Sequence, residues 1–386
     1  MRKLGLIVGV LLLLALAFVH FVLPGQVERR QNAVVAHDAY PVSAAARTLH
    51  DSLFIADLHS DSLLWKRNLL RRSSTGHMDL PRLREGNVAL QVFSATTKSP
   101  SGLNYERNEA SSDDITLLAI ASFWPPRTWT SIYERAVYQL QKLQRLAGNS
   151  ELRLITTSEQ FRKLVADRDA GERPIGAVYL IEGAHPLEGD IEKLDALFEQ
   201  GLRIAGLTHF FDNETGGSLH GVSGDGLSDF GRDVVRRADE LGLIIDVAHA
   251  SPAMVDEVLA LTRRPVILSH GGVRGTCNTA RNLADEQMRR IAAAGGLVGI
   301  GYWDAAVCDI TPAGVVRSIR HAIDLLGAEH VALGSDYDGA TTVAFDTSEL
   351  SALTQAMLDA GFSEQEIRLV MGENVKRFLL QYLPES

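Results

Sequence analysis

The feature that most constrains this chain is a rhythm. Short runs rich in Val, Ile and Leu, each followed by a longer stretch, recur eight times, and helical amphipathic patterns fill most of the gaps. Short continuous apolar runs read as strands buried on both faces, and their alternation with helical periods reads as βα units on a parallel sheet. The runs lie at 53–58, 88–93, 176–181, 204–208, 243–248, 265–269, 297–302 and 331–335. Helical patterns occupy 230–241, 285–294 and 311–326, and Gly242, Gly295 and Gly327 follow them, where a left-handed cap favours glycine. The second unit is enlarged: 104–169 carries two helical stretches and a short extra strand at 152–155. The stretch 347–380 reads as two or three helices packed outside. The whole predicts an α/β fold, a (β/α)8 barrel of the TIM type, with reactive residues at the C-terminal ends of its strands.

That expectation can be checked within the sequence. The first run ends in DLHSD at 57–61, where His59 and Asp61 are two apart and share a face on an extended chain. The third is followed by Glu182, a carboxylate costly to bury after AVYLI without a partner. The fourth, fifth and sixth end at His209, His249 and His270, and the eighth runs into Asp336. Taken singly, each is more often a satisfied polar group at a strand terminus than a ligand. Six strand ends furnished with His, Asp or Glu together point to a metal site. With no thiolate among them, the set suits zinc first and Mn2+ or Co2+ second. One zinc needs three or four such groups. The surplus predicts two ions about 3.5–4 Å apart that share a carboxylate and lower the pKa of a bridging water.

The N-terminus obeys different rules. Residues 4–23 are apolar apart from His20, long enough for a bilayer-crossing helix, and follow Arg2 and Lys3. A cleaved signal has a shorter apolar core, about 7–15 residues, and a small-residue cleavage site. An uncleaved membrane anchor is expected over 1–25, a polar linker over 26–45, and a catalytic domain with its C-terminal helices over 46–384. Arg2 and Lys3 would stay cytoplasmic and send the domain to the outer, periplasmic or extracellular, side, although Arg29 and Arg30 weaken that asymmetry. Cleavage would instead make the protein secreted. A net charge of −10 leaves no basic surplus for phosphates and argues against a nucleic-acid partner. Cys277 and Cys308 are too few for a zinc ribbon or a disulfide framework. One bridge between them in an oxidising compartment is left open, because spacing does not fix their distance.

Read in order, DLHSD (57–61), IEGAH (181–185), LTHFFDN (207–213), DVAHAS (246–251), PVILSH (265–270), ARN (280–282), GAEHVALGSDYDG (327–339) and GENVKRF (372–378) resemble the renal or membrane dipeptidase family of zinc peptidases, across 51–379. The resemblance implies a hydrolase that cleaves dipeptides, including those with a C-terminal D-residue, by attack of a metal-bridged hydroxide. It places His59 and Asp61 on one zinc, His249 and His270 on the other, and Glu182 between them. It assigns His209 to substrate binding and the oxyanion, Asp336 to proton transfer as base and then acid, and Arg281 to the free carboxylate of the dipeptide. Without the resemblance, Arg281 reads as a surface salt bridge. Asp57 and Asp246 are candidates for orienting ligands. His185, His220, Tyr337 and Asp338 lie near the mouth without an assigned role.

The departures touch the rim. Ser62-Leu63 follow Asp61 where the family usually has Leu-Pro, and Gly271-Gly272 replace two serines, so substrate preference is the property most affected. Trp124, Pro125, Pro126 and Trp129 of the enlarged unit are expected over the mouth. Family members are often homodimers, and no interface is legible here. Another binuclear metal amidohydrolase (deaminase, lactonase or phosphotriesterase) typically opens with His-x-His on strand one and bridges its metals with a modified lysine on strand four. His59-x-Asp61 and Glu182 depart from both. A catalytically inactive, membrane-tethered binding protein would be marked by a missing ligand or a missing Asp336, and every position is filled.

Overall fold

The computed structural model describes residues 2–385. Its centre is a ring of parallel strands: β1 (Ile55–Asp57), β2 (Val88–Ala95), β3 (Ile175–Ile181), β4 (Leu202–Gly206), β5 (Ile244–Asp246), β6 (Ile267–Gly271), β7 (Leu297–Ile300) and β8 (Val331–Leu333). Each overlaps one of the eight expected runs. Neighbours in sequence pair in space, and Leu333 of β8 lies opposite Asp57 of β1, which closes the barrel.

Every strand position is buried. Alternate positions feed two apolar clusters, which is why the runs are continuous rather than alternating. Ile55, Phe93, Ala177, Tyr179 and Ile181 pack in the cluster shared with the outer helices. Ala56, Leu90, Val92, Val178 and Leu180 form the inner one with Ile244, Ile267 and Leu297, the first residues of their strands. Phe378 and Leu379 of the helix Asn374–Tyr382 join this inner cluster. That helix therefore stoppers the N-terminal end of the barrel and leaves the opposite end for the site.

Between strands the helices fall close to expectation, at Asp229–Leu241, Asp285–Ala293 and Pro312–Leu326. Ser228 caps the first by accepting the Gly231 N–H, and Gly242 ends it in the left-handed conformation. Gly327 differs: its N–H still donates to the Ile323 carbonyl, but with φ 88° and ψ 147° it leaves the left-handed cap conformation and leads through the short turn Ala328–His330 into β8. The enlarged unit holds three main helices, not two: Asp114–Ala121, Ile132–Ala147 and Ser158–Asp169. The first, DITLLAIA, is apolar nearly all round and carries no amphipathic period to read. The extra strand Leu152–Leu154 pairs with the first three residues of β3, below the point where β4 begins to pair.

The largest difference lies at 26–45, expected as a linker. After the helix Arg2–Phe21, whose apolar side chains are exposed all round, a second helix runs from Leu23 to Gln31. Ala33 and Val34 then pair in parallel with Thr342 and Val343, and Tyr40 Oη donates to the Ala344 carbonyl at 2.8 Å. The stretch is polar because Glu28 and Asn32 are buried with specific partners, a pattern that composition alone reads as solvated. Cys277 and Cys308 are bonded, with Cα atoms 5.4 Å apart, tying the segment after β6 to the one after β7.

Candidate active site

Five strand ends converge on Glu182, which stands at a sixth. One of its oxygens, Oε1, lies 3.2 Å from His249 Nε2 and 3.5 Å from both His59 Nε2 and His270 Nε2. The other, Oε2, is 3.4 Å from His209 Nε2. Asp61 Oδ2 and Asp336 Oδ1 lie 3.6 and 3.9 Å from His59 Nε2. His249 and His270 bring their Nε2 atoms within 2.9 Å of each other. All seven side chains are buried. The eight residues singled out from sequence thus meet in one place, for Arg281 stands beside them.

Arg281 is not a surface residue. It is buried, its Nη2 donates to the His270 carbonyl at 2.8 Å, and its guanidinium lies 5.4 Å from the Trp303 ring centre. It lines the same cavity as Asp61, Glu182, His209, His249 and Asp336. The cavity measures about 450 Å³, within the range of small-molecule sites.

The two candidate orienting aspartates behave differently. Asp57 accepts the His59 N–H at 3.0 Å, the Ser335 N–H at 3.1 Å and Gln91 Nε2 at 3.2 Å, so it knots β1, β2 and the loop after β8 without touching an imidazole. Asp246 accepts the Ser269 hydroxyl at 2.5 Å. Ser269 Oγ in turn lies 2.9 Å from His270 Nδ1 and 3.3 Å from His59 Nδ1. With its proton given to Asp246, Ser269 can only accept from those rings, which fixes the proton on Nδ1 and leaves both Nε2 lone pairs directed at Glu182.

The backbone is bent to serve the site. His249 and Asp336 sit at φ of 62° and 57°, left-handed positions that cost a non-glycine residue about 1–3 kcal/mol each. Gly272, which stands where a serine was expected, has no alternative: a Cβ there would lie 1.8 Å from the Ala306 carbonyl oxygen. Ser62, the other departure, donates to Asp338, a residue also held by Arg67.

Charge and hydrogen bonding together call for cations. Thr96 Oγ1 lies 2.8 Å from Asp61 and 2.9 Å from Glu182, yet its one proton serves only one of them. Burial raises the Glu182 carboxyl, and it holds Asp336 well above the usual carboxylate range, with Asp61 and Glu182 adding to the effect. Burial disfavours a charged His59, but Asp61 and Glu182 outweigh it and push its pKa up to about 10. Among the described residues its Nε2 has no hydrogen-bond partner. A divalent cation supplies the same positive charge without a proton. Burial keeps His249 and His270 neutral, as ligands must be. Three ligand-distance groups (His59–Asp61–Glu182, Glu182–His209–His249 and His59–His270–Asp336) arise from these residues, so the donor set fits metal binding.

Some contributors went unread. Strands two and seven lack a His or carboxylate at their ends, yet Thr96 follows β2 directly and Trp303 stands three residues past β7, lining the cavity. The same positional rule finds them once the residue types are widened. Trp124 and Trp129, expected over the mouth, do not line it: Trp124 is packed behind Leu64, Trp65 and Ile115, and Trp129 is partly exposed. The enlarged unit lines the cavity instead through Tyr105, Ile115 and Leu118.

The chain is similar to known dipeptidases in sequence and in fold. The chain is 28% identical to the dipeptidase aclJ of Aspergillus oryzae over 89% of its own length and 83% of that protein. A solved dipeptidase described as a metallo peptidase of family M19 superposes with a TM-score of 0.69 at 25% identity, covering 87% of this chain and all of that one. A metallo peptidase from Rhodobacter sphaeroides, solved with a phosphinate mimic of the dipeptide L-Ala-D-Ala, shares the fold with a TM-score of 0.69 at 24% identity, covering 86% of this chain and 99% of that one. Residues 43–382 match the membrane dipeptidase family as a whole, and the chain therefore belongs to that family of metal-dependent hydrolases, peptidase family M19.

Proposed function

We propose that this protein cleaves dipeptides, including those with a C-terminal D-residue, with the help of two zinc ions. The observation that carries the reading is Glu182, one carboxylate encircled by four imidazole nitrogens at 3.2–3.5 Å. His59 and Asp61 would hold one ion, His249 and His270 the other, and Glu182 both. When bound, such a pair makes hydroxide available at neutral pH and polarises a carbonyl. Mn2+ or Co2+ would be substitutes.

The chain's own residues supply the rest. Arg281, at the buried wall of the cavity, binds the free carboxylate of the dipeptide, with its Nη2 held by the His270 carbonyl and Trp303 beside it. His209 sits across Glu182 from His59 and steadies negative charge on the carbonyl oxygen. Asp336, aimed at the cluster from the loop after β8, takes the proton from the attacking water and delivers it to the leaving amine. The dipeptide mimic held by the Rhodobacter sphaeroides relative supports the substrate class and the D-configured second residue.

The apolar helix Arg2–Phe21 would anchor the protein in the cytoplasmic membrane, with the catalytic domain over 46–384 outside. The bond between Cys277 and Cys308 supports an oxidising location. Assay of the purified protein on L-Ala-L-Ala, L-Ala-D-Ala, a nucleoside and a lactone tests the whole. Dipeptide hydrolysis lost to a chelator and restored by zinc is expected, and none from metal-loaded protein would overturn the reading.

A further inference from the structure

Val27 and Gln31 line the cavity that contains Glu182 and Arg281. Both precede residue 43, where the match to the family begins. They lie four residues apart on the helix Leu23–Gln31, hence on one face of it. Val27 packs against the apolar cluster that includes Leu64, Trp65 and Ile115, which line the cavity too. Gln31 is exposed to solvent while lining the cavity.

This helix is fastened in place. Buried Glu28 pairs with Arg67, and Arg67 pairs with Asp338. Asn32 Oδ1 accepts the Ala340 N–H at 2.9 Å, and Ala33 and Val34 pair with Thr342 and Val343. The partners Asp338, Ala340, Thr342 and Val343 all belong to the segment after β8, which also carries Asp336.

We infer that the helix Leu23–Gln31 is the outer wall of the substrate pocket, and that Val27 and Gln31 set which dipeptide side chains are admitted. The inference rests on the dipeptidase reading above. A wall contributed from outside the shared domain gives this chain a selectivity that the common barrel does not dictate. Val27 offers an apolar surface to a substrate side chain, and Gln31 sets the width of the opening with a chain that can be shortened or enlarged without disturbing the core.

The test uses the full-length protein in detergent, with Gln31→Ala, Val27→Ala and Gln31→Trp beside the wild type. The reading is kcat/KM for L-Leu-L-Leu and L-Phe-L-Phe relative to L-Ala-L-Ala. Gln31→Ala and Val27→Ala should raise that ratio by roughly threefold or more and Gln31→Trp should lower it, chiefly through KM, since a single methylene in a pocket is worth about 10-fold or more. Ratios within twofold of wild type in all three variants, with unchanged melting temperatures, would overturn the inference while leaving the dipeptidase reading intact. A wild type that hydrolyses none of these dipeptides would remove both.

Discussion

At the scale of the residue, Glu182 and Asp336 look alike, two buried carboxylates on strand-end loops, yet they should fail differently. Glu182→Ala removes the oxygen nearest three imidazoles and should empty the site as well as stop turnover. Asp336→Asn should keep both metals and lose roughly 10²–10⁴-fold in kcat, the size of a general acid–base contribution. Metal analysis of the purified variants beside their kinetics separates the two, and an Asp336→Asn protein without metal would make that residue a ligand. Ser269 carries a subtler expectation. Its hydroxyl links Asp246 to His270 and His59, so Ser269→Ala should weaken metal affinity by about 10–100-fold, read by competition with a chromophoric chelator. Unchanged affinity would mean the rings are held by packing alone. The histidines and carboxylates were legible because the chemistry of a ligand is written in its residue type and its place after an apolar run. Thr96 and Ser269 were not, since a serine or threonine near a strand end has many ordinary uses, and only the partners around each hydroxyl, two carboxylates for Thr96 and a carboxylate with two imidazoles for Ser269, reveal the task.

At the scale of the element, the eight strands were legible because each is buried on both faces and therefore reads as an unbroken apolar run. The helix Asp114–Ala121 and the fastening of 26–45 were not, the one lacking a polar face and the other using buried polar pairs in place of apolar ones. The helix Ile132–Ala147 belongs to the same buried polar network. Lys142 on it donates to the carbonyls of Leu63 and Trp65, among Arg67, Glu28, Arg145 and Asp338. Burial, with Arg67 adding, brings its pKa from 10.5 down to about 7. The folded chain thus releases a proton that the unfolded chain keeps until about 10.5, so unfolding takes up a proton between those values. This lysine's destabilising effect is full below pH 7 and fades as the pH rises toward 10.5. Melting temperatures of the wild type should gain on those of Lys142→Met across that interval. Parallel curves would show that Lys142 is charged in the fold.

At the scale of the whole molecule, the barrel has one end stoppered by the helix Asn374–Tyr382 and the other occupied by the site, and the apolar helix Arg2–Phe21 leads straight into the pocket's own wall. A spanning helix predicts that the full chain stays in the membrane pellet through alkaline carbonate and leaves only with detergent. Release by carbonate would count against it. The fastening of Glu28, Asn32, Ala33 and Val34 to the barrel also decides what shedding would do. A protease cutting on the membrane side of Pro24 would free a soluble enzyme with its mouth complete. A cut between Val34 and Ser43 would free the same barrel without the covalent link to that wall, leaving Asn32, Ala33 and Val34 on the membrane side of the cut. Two soluble forms, nearly equal in mass, would then differ in which dipeptides they accept.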